Sequence, residues 1–487
     1  MLGLTRALGN TDLATLGADH DAIYFRFLGP VIVYPTALVW PLALLAVVVL
    51  AALVALARRR RRLSLPRLLL SVLSVVLPLG TAAVAAQGLW WGLVQLRPDY
   101  ADNPFLYRPQ LYQLAVAGLA GLAVLIWYLL LRRRIGPAAL ACGPLVWLAV
   151  LGVLTAWAVP GISHLVALPA LALAGGGLIA VALPRRSIWP VVAITAGVIP
   201  AVVLLMSLGV SSFDAGGLAD GGAGAALLAL FGLTLLPLVE LLLPPVEQPF
   251  GRRRAMLVLG AGLVLVLALT GAGMAVNRID AAHPRRANLA YVLDTDTGRA
   301  SWVSPDAEPA GWTWGYVTER SESAGAGFPD GPVWTGPAPA VPLPAPEVTL
   351  RSRGDTAGSQ QDVTAESRQN VTVELHVSSP RSAPAVVLQI DHRIDQIMVT
   401  APGLDPAAIT LVGTGQGPWL TEVRFGDLPP EGIDFTLRTA HQGPLRITAS
   451  DQTHGLAGVP GFRPRPPELQ PRHSDSDTVT VVRTYEF

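Results

Sequence analysis

The stretch that decides the fold is Thr36-Ala-Leu-Val-Trp-Pro-Leu-Ala-Leu-Leu-Ala-Val-Val-Val-Leu-Ala-Ala-Leu-Val-Ala-Leu-Ala57, closed by five arginines, Arg58 to Arg62. A helix rises about 1.5 Å per residue and the hydrocarbon core of a bilayer is about 30 Å thick, so about 20 apolar residues make one crossing. Seven further runs repeat the pattern, near residues 68–89, 111–131, 137–159, 164–183, 188–209, 222–243 and 255–276. The link Pro160-Gly-Ile-Ser163 divides the fourth run from the fifth. That many apolar runs cannot all hide inside one water-soluble globule. The fold class expected is an α-helical polytopic membrane domain of about eight spans over residues 36–276, followed by an all-β, sandwich-like extracytoplasmic domain.

Composition points the same way. Of 487 residues, 52% are hydrophobic and 14% charged, where a soluble domain carries about 25% charged residues. Mean hydropathy is +0.48. A formal net charge of +1 supplies no global field for polyanions, so no nucleic-acid partner is expected; the expected partner is the lipid bilayer. All 35 basic residues are arginine. Cys142 is the single cysteine, which rules out an intrachain disulfide and a cysteine-based zinc site.

Arginine sets the expected orientation. Arg58–Arg62 with Arg67, Arg132–Arg134, Arg185–Arg186 and Arg252–Arg254 fall in alternate loops, fourteen in all; the other loops hold Arg6, Arg26, Arg97 and Arg108. The positive-inside rule places both termini outside the cytoplasm, in an integral membrane protein. The first span then acts as a reverse anchor for a tail, residues 1–35, with no cleavable signal peptide.

Within the spans, Glu240 lies in Leu-Val-Glu-Leu-Leu near the inner end of the seventh and His164 at the outer edge of the fifth. Buried charge in lipid often marks function, but groups near a helix end can pair or reach the interface, and that reading is preferred for both. Pro41, Pro78, Pro169, Pro190, Pro200 and Pro237 fall within spans, the deeper ones as candidate kinks. Gly175-Gly176-Gly177 permits close helix approach.

From Asn277 the composition turns polar. Asn288-Leu-Ala-Tyr-Val-Leu-Asp294, a turn at Thr295-Asp-Thr-Gly298, and Arg299-Ala-Ser-Trp-Val-Ser304 read as a β-hairpin. Nine prolines between Pro305 and Pro346 argue for an extended, loop-rich connector, completing a segment 277–345. Strand-like runs at 371–377, 385–390, 396–400, 409–412, 422–425, 434–438, 445–449 and 478–485 suggest an antiparallel sandwich over residues 346–487.

Site chemistry is sparse. The eight histidines include no His-Glu-x-x-His. Asp391-His392-Arg393-Ile394-Asp395 is the densest metal-like cluster, yet it reads better as a solvated turn at a strand end. Asp451-Gln-Thr-His454 reads as an acid with an imidazole or, equally well, as a turn closed by Gly455. Trp312, Trp314, Trp334 and Trp419 could stack on sugar rings, though core packing is the commoner use of Trp. No catalytic, cofactor-binding or metal residue is assigned.

Eight spans followed by Asn288-Leu-Ala-Tyr-Val-Leu-Asp-Thr-Asp-Thr-Gly-Arg-Ala-Ser-Trp-Val-Ser304 resemble the C-terminal two-thirds of a multi-spanning zinc aminopeptidase of metallopeptidase family twenty-eight, the endoplasmic-reticulum or vacuolar-membrane type, in a bacterial version. Thr5-Arg-Ala-Leu-Gly-Asn-Thr-Asp-Leu13 with Asp21-Ala-Ile-Tyr-Phe25 and Val33-Tyr-Pro35 is similar to that family's link between peptidase and membrane. His454-Gly-Leu-Ala-Gly-Val-Pro-Gly461 with Arg465-Pro466, and Ser474-Asp-Ser-Asp-Thr-Val-Thr-Val-Val-Arg483, are similar to a late turn and the final strand of its outer domain. The resemblance implies a peptidase domain holding two zinc ions through a His-x-Asp pair, a bridging Asp, a Glu-Glu pair, another acid and a distant His. None of that set occurs here, so zinc is expected only in a separate or missing peptidase domain. The implied role is a non-catalytic membrane anchor and accessory domain, with a separately encoded peptidase as possible partner. The alternative is a polytopic transporter or scaffold with an extracytoplasmic binding domain.

Overall fold

The computed structural model describes residues 21–101, 103–184, 187–242, 252–323, 331–356, 370–401, 406–409, 420–472 and 476–487. The motif at 5–13, Arg185, Arg186, Trp419 and residues 410–412 and 474–475 lie outside the described residues. The chain divides into two units, Met1–Tyr100 with Pro104–Arg278, and Ala101–Asn103 with Ile279–Phe487.

The first unit opens with an antiparallel hairpin, β1 (Ala22–Arg26) and β2 (Val31–Pro35), in which Tyr24 faces Val33. Helices follow: α1 (Val39–Arg59), α2 (Leu65–Ser74), α3 (Val76–Leu96), α4 (Gln110–Ile135), α5 (Pro137–Ala158), α6 (His164–Ala182), α7 (Trp189–Pro200), α8 (Met206–Gly216), α9 (Gly221–Thr234), α10 (Leu236–Leu242) and α11 (Arg252–Val276). Among the described residues, seven helical stretches are long and apolar enough to cross a membrane: Thr36–Arg59, Leu65–Leu96, Gln110–Ile135, Pro137–Ala158, His164–Ala182, Trp189–Gly216 and Arg253–Val276. The expected span at 222–243 is built from α9 and α10, each short of that length.

Proline explains the breaks. A proline ring clashes with the carbonyl four residues earlier and leaves it without its helical donor. Pro78 acts on Ser74, the last residue of α2, and Pro237 acts on Leu233, next to the end of α9. Pro200 ends α7, and a π-helical turn, Ala201–Leu205, carries the chain into α8.

Burial on α1 falls at Val39, Ala43, Ala46, Leu50, Leu53 and Ala57, alternating steps of four and three that give one inward seam. That seam joins Leu145 and Leu148 of α5, Val166, Ala170 and Leu173 of α6, and Leu205 in one core. A second core unites Ala82, Ala86 and Trp90 of α3 with Tyr112, Val116 and Val124 of α4 and Ala225 and Ala229 of α9. At Gly176 an added Cβ would meet the Ala193 carbonyl oxygen at 2.4 Å, so α6 and α7 cross backbone to backbone there.

The second unit is strand-rich. Its strands are β3 (Arg285–Ala287), β4 (Ala290–Asp294), β5 (Arg299–Ser304), β6 (Glu319–Ser321), β7 (Val333–Ala338), β8 (Glu347–Thr356), β9 (Asn370–Ser378), β10 (Ala385–Ile390), β11 (Gln396–Thr400), β12 (Ala407–Ile409), β13 (Thr421–Gly426), β14 (Ile433–Thr439), β15 (Arg446–His454), β16 (Leu469–Pro471) and β17 (Thr478–Glu486). An eight-stranded sheet runs β13-β10-β15-β17-β4-β5-β7-β6, a five-stranded sheet runs β12-β11-β14-β9-β8, and β16 pairs with β3. The β9 pattern, with Val371, Val373, Leu375 and Val377 inward, is the two-residue period of a half-buried strand. These valines share a core with Val386, Leu388 and Ile390 of β10 and Ile447 and Ala449 of β15, so both sheets close on one interior.

The structure differs from the sequence expectation in two places here. The hairpin β4–β5, expected to stand apart from residues 346–487, is continuous with them: β4 pairs in parallel with β17, the last strand, with Tyr291 opposite Val479. The connector after it also supplies strands, β6 and β7. Pro337 fits inside β7 because β6 pairs only with residues 333–335, leaving the proline nitrogen facing no donor-seeking partner on that side.

Candidate functional site

Glu240 of α10 is held by α4. Arg132 donates to it through Nε at 2.8 Å and through a terminal nitrogen at 2.6 Å, and the Tyr128 hydroxyl donates to the same carboxylate. Tyr128 and Arg132 are four residues apart and share one helix face. The Arg132 side chain is 5% exposed, so the pair is a buried bidentate clamp. Arg60 donates to the Ala182 carbonyl at 2.9 Å and closes the C-terminal end of α6. His164 begins α6, is buried, and stacks on Phe25 of β1 with ring centroids 4.6 Å apart.

In the strand-rich unit, residues 391–394 form the bend between β10 and β11. His392 Nδ1 lies 2.7 Å from Asp391, whose carboxylate also accepts the Arg446 backbone N–H, and the His392 ring stacks on His441 at 3.5 Å. Asp395 and Arg393 add no further ligand to it. His376 approaches Asp434 at 2.7 Å, and Arg351 pairs with the same aspartate.

Asp451 corrects the sequence reading. With His454 it read equally as an acid with an imidazole or as a turn closed by Gly455; both residues are in β15, and Asp451 is fully buried. Arg381 donates to one carboxylate oxygen at 2.5 Å and Ser379 to the other at 2.5 Å. His454 is exposed, and with a spacing of three it points to the opposite face, so acid and imidazole do not meet. Polar neighbours Ser450 and Gln452 hid the strand; β17 pairs along all of it. Neither Ser379 nor Arg381 stood out in the sequence, because nothing local links them to a residue seventy positions away.

The tryptophans pack. Trp312 stacks edge-on against Tyr316 and Phe462, with the Arg465 guanidinium 4.6 Å from its ring centre. Trp334 meets Trp314 at 4.6 Å. Trp314 keeps 41% exposure, and its indole is thus partly open to solvent. Beneath them Tyr291 donates to the Pro339 carbonyl at 2.9 Å and accepts from Val341, and burial pushes its phenol pKa up.

Two zinc ions need several convergent oxygen and nitrogen donors. Among the described residues no group of three or more His, Cys, Asp or Glu is placed to hold a metal ion. The buried acids that do occur have their lone pairs turned to arginine, so the residues present do not fit the metal pair that the resemblance implies. No protein-family model, curated protein or solved structure matches the chain.

Within the strand-rich unit, the three segments that carry the resemblance meet. Asp477 donates its backbone N–H to Leu289, Gly455 donates to Asp477, and Arg465 donates to the Ala287 carbonyl and pairs with Asp477. Leu289, Tyr291, Leu293 and Trp302 share a core with Leu456, Val459, Val479 and Val481.

Proposed function

We propose that this chain is the non-catalytic membrane anchor and accessory portion of a zinc-dependent aminopeptidase of the family-twenty-eight membrane type, whose peptidase domain is supplied separately. Eight spans, the seventh of them broken between α9 and α10, hold the strand-rich unit on the extracytoplasmic face of a bacterial plasma membrane, and both termini lie on that side. One observation carries the reading: the segment 288–304 that resembles the family packs into a single patch around β4 and β17 with the two resembling segments near the end of the chain, 454–466 and 474–483. The arginine asymmetry supports the orientation.

The test is biochemical and genetic together. An adjacent reading frame carrying the zinc ligands, and a peptidase that copurifies with the full chain, are expected. The purified chain with added zinc should release no amino acid from peptide substrates, whereas the copurified complex should. Activity that tracks this chain alone, or cleavage of the strand-rich unit only by protease on the cytosolic side of inverted vesicles, would overturn the proposal.

A further inference from the structure

The hairpin β1–β2 has two apolar faces. Residues opposite each other in an antiparallel pair share a face, and successive residues alternate. Ile23 with Tyr34 and Phe25 with Ile32 are on one face; Ala22 with Pro35, Tyr24 with Val33 and Arg26 with Val31 are on the other. The first face is seated on the helical unit. Ile23 is buried in a core with Val39 and Ala43 of α1 and Ala156 of α5, Tyr34 packs against that core, and Phe25 stacks on His164 of α6. Thr36 closes the base, its N–H and its hydroxyl both donating to the Asp21 carbonyl, at 3.2 and 2.7 Å. Val39 and His164 stand at the start, and Ala156 near the end, of stretches long enough to cross a membrane, so the hairpin is fixed at the level where spans end.

The second face is exposed along its whole length, Tyr24 to 75% and Val33 to 63%. A hairpin with one face in water carries polar side chains there; this one carries Ala22, Tyr24, Val31, Val33 and Pro35 beside Arg26. Leu28 extends the surface at the turn, exposed and at positive φ, a conformation usually left to glycine or asparagine. The apolar surface does not stop at the hairpin: Leu38, Trp40, Leu44 and Leu45, next along the chain in the first span, are exposed too. The bilayer that covers those residues is the neighbour continuous with the hairpin. Depth is set by the backbone. A two-stranded sheet leaves N–H and C=O groups unpaired along its outer edges, and hydrocarbon does not satisfy them, so the hairpin stays at headgroup level. Tyr and Trp favour that level. Arg26, the only charged residue from 22 to 57, has the sign and the reach for lipid phosphate.

We infer that β1–β2 is an interfacial anchor: its outward face lies at the headgroup–acyl boundary of the leaflet beside the start of α1, with Tyr24 and Val33 toward the acyl chains and Arg26 toward the phosphates. This rests on the helical unit being embedded in a membrane, and on neither its orientation nor any peptidase. The test is spin labelling of the full chain, carrying Cys142→Ala, in vesicles of phosphatidylglycerol and phosphatidylcholine. Collisions with oxygen and with a water-soluble nickel chelate are read at each label. Labels at Tyr24→Cys and Val33→Cys, both at exposed positions, should favour oxygen and report a depth of about 5–10 Å, as interfacial amphipathic segments do. A label at Leu45→Cys in the first span should read deeper. Arg26→Glu should shift the Tyr24→Cys label toward water. Hairpin labels that favour nickel, or that neither probe reaches, would refute the anchor even where the Leu45→Cys label reads as lipid-facing and upholds the embedding. A Leu45→Cys label in water would remove the embedding and the inference with it. A depth at Tyr24→Cys unchanged by Arg26→Glu would refute the part given to Arg26.

Discussion

Asp451→Ala tests the strand-rich unit most directly. The substitution removes the carboxylate that pairs with Arg381 and accepts from Ser379, leaving a guanidinium only 9% exposed with neutral acceptors, the residue 451 and Val479 carbonyls and the Thr453 hydroxyl. Breaking a buried pair by deleting one partner costs about 3–5 kcal/mol, because the other charge stays in a poorly polarisable interior. For a unit of this size that corresponds to a drop of roughly 6–20 °C in Tm. The two units can melt separately, so a single global melt is a poor readout. Peptide-resolved hydrogen exchange over β15 and β17 is better. Their slowest amides should exchange about a hundredfold faster or more, since each 1.4 kcal/mol is about tenfold. The pair Asp451→Ala with Arg381→Met completes a double-mutant cycle. Removing both charges should cost less than Asp451→Ala alone, since no uncompensated ion remains. Exchange within threefold of wild type for the single variant, or a double variant worse than the sum of the singles, would refute the argument that this ion pair is buried and matched.

Three further outcomes follow from the same geometry. Gly176→Ala should destabilise the helical unit in detergent by about 1–3 kcal/mol, as forced overpacking does, while Gly175→Ala, with open space around it, should be close to neutral; equal melting temperatures would count against the α6–α7 crossing. Glu240→Ala strands Arg132 and Tyr128 and should cost about 3 kcal/mol, the lower end for a broken buried pair because Glu240 keeps some exposure; an unchanged melt would show the clamp is not formed. The Asp280 carboxyl is held below the usual aspartate value by the His283 ring and by the backbone N–H groups of His283 and Ala282. Its stabilising contribution is therefore present above the ordinary aspartate pKa and is lost as pH falls through the lowered value; a carbon-13 titration of Asp280 with a midpoint at or above the ordinary value would contradict this.

What the sequence disclosed, and what it hid, divides along physical lines. Apolar runs disclose helices because membrane-depth length is written in one dimension. The strands 385–390 and 396–400 coincide with β10 and β11, the first a short, mostly apolar run buried almost throughout and the second an alternating one. The β4–β5 hairpin was legible through its turn, where Asp294 accepts the N–H groups of Asp296 and Thr297 and Gly298 has positive φ. β8 was not legible. It is an edge strand with Arg351 and Arg353, and a register shift between Leu350 and Ser352 breaks its period. Pairings such as Glu240 with Arg132, or Asp451 with Arg381, link positions seventy or more residues apart, and no local pattern reports them.

Those pairings bear on what the chain can do. Asp306 is buried, accepts the Asn288 N–H at 2.8 Å and lies 3.4 Å from Arg472; Asp477 is matched by Arg465, Asp451 by Arg381, and Glu240 by Arg132. A guanidinium is a planar fork that does not deprotonate near neutral pH, and a carboxylate whose lone pairs point into it has little left for a metal ion or a substrate proton. A chain that supplies positive charge only as arginine thus converts its buried acids into struts. In the strand-rich unit these struts flank β4 and β17 and tie β15 to the loop after β9. The same chemistry that ties this patch together leaves its buried carboxylates few lone pairs for any other partner.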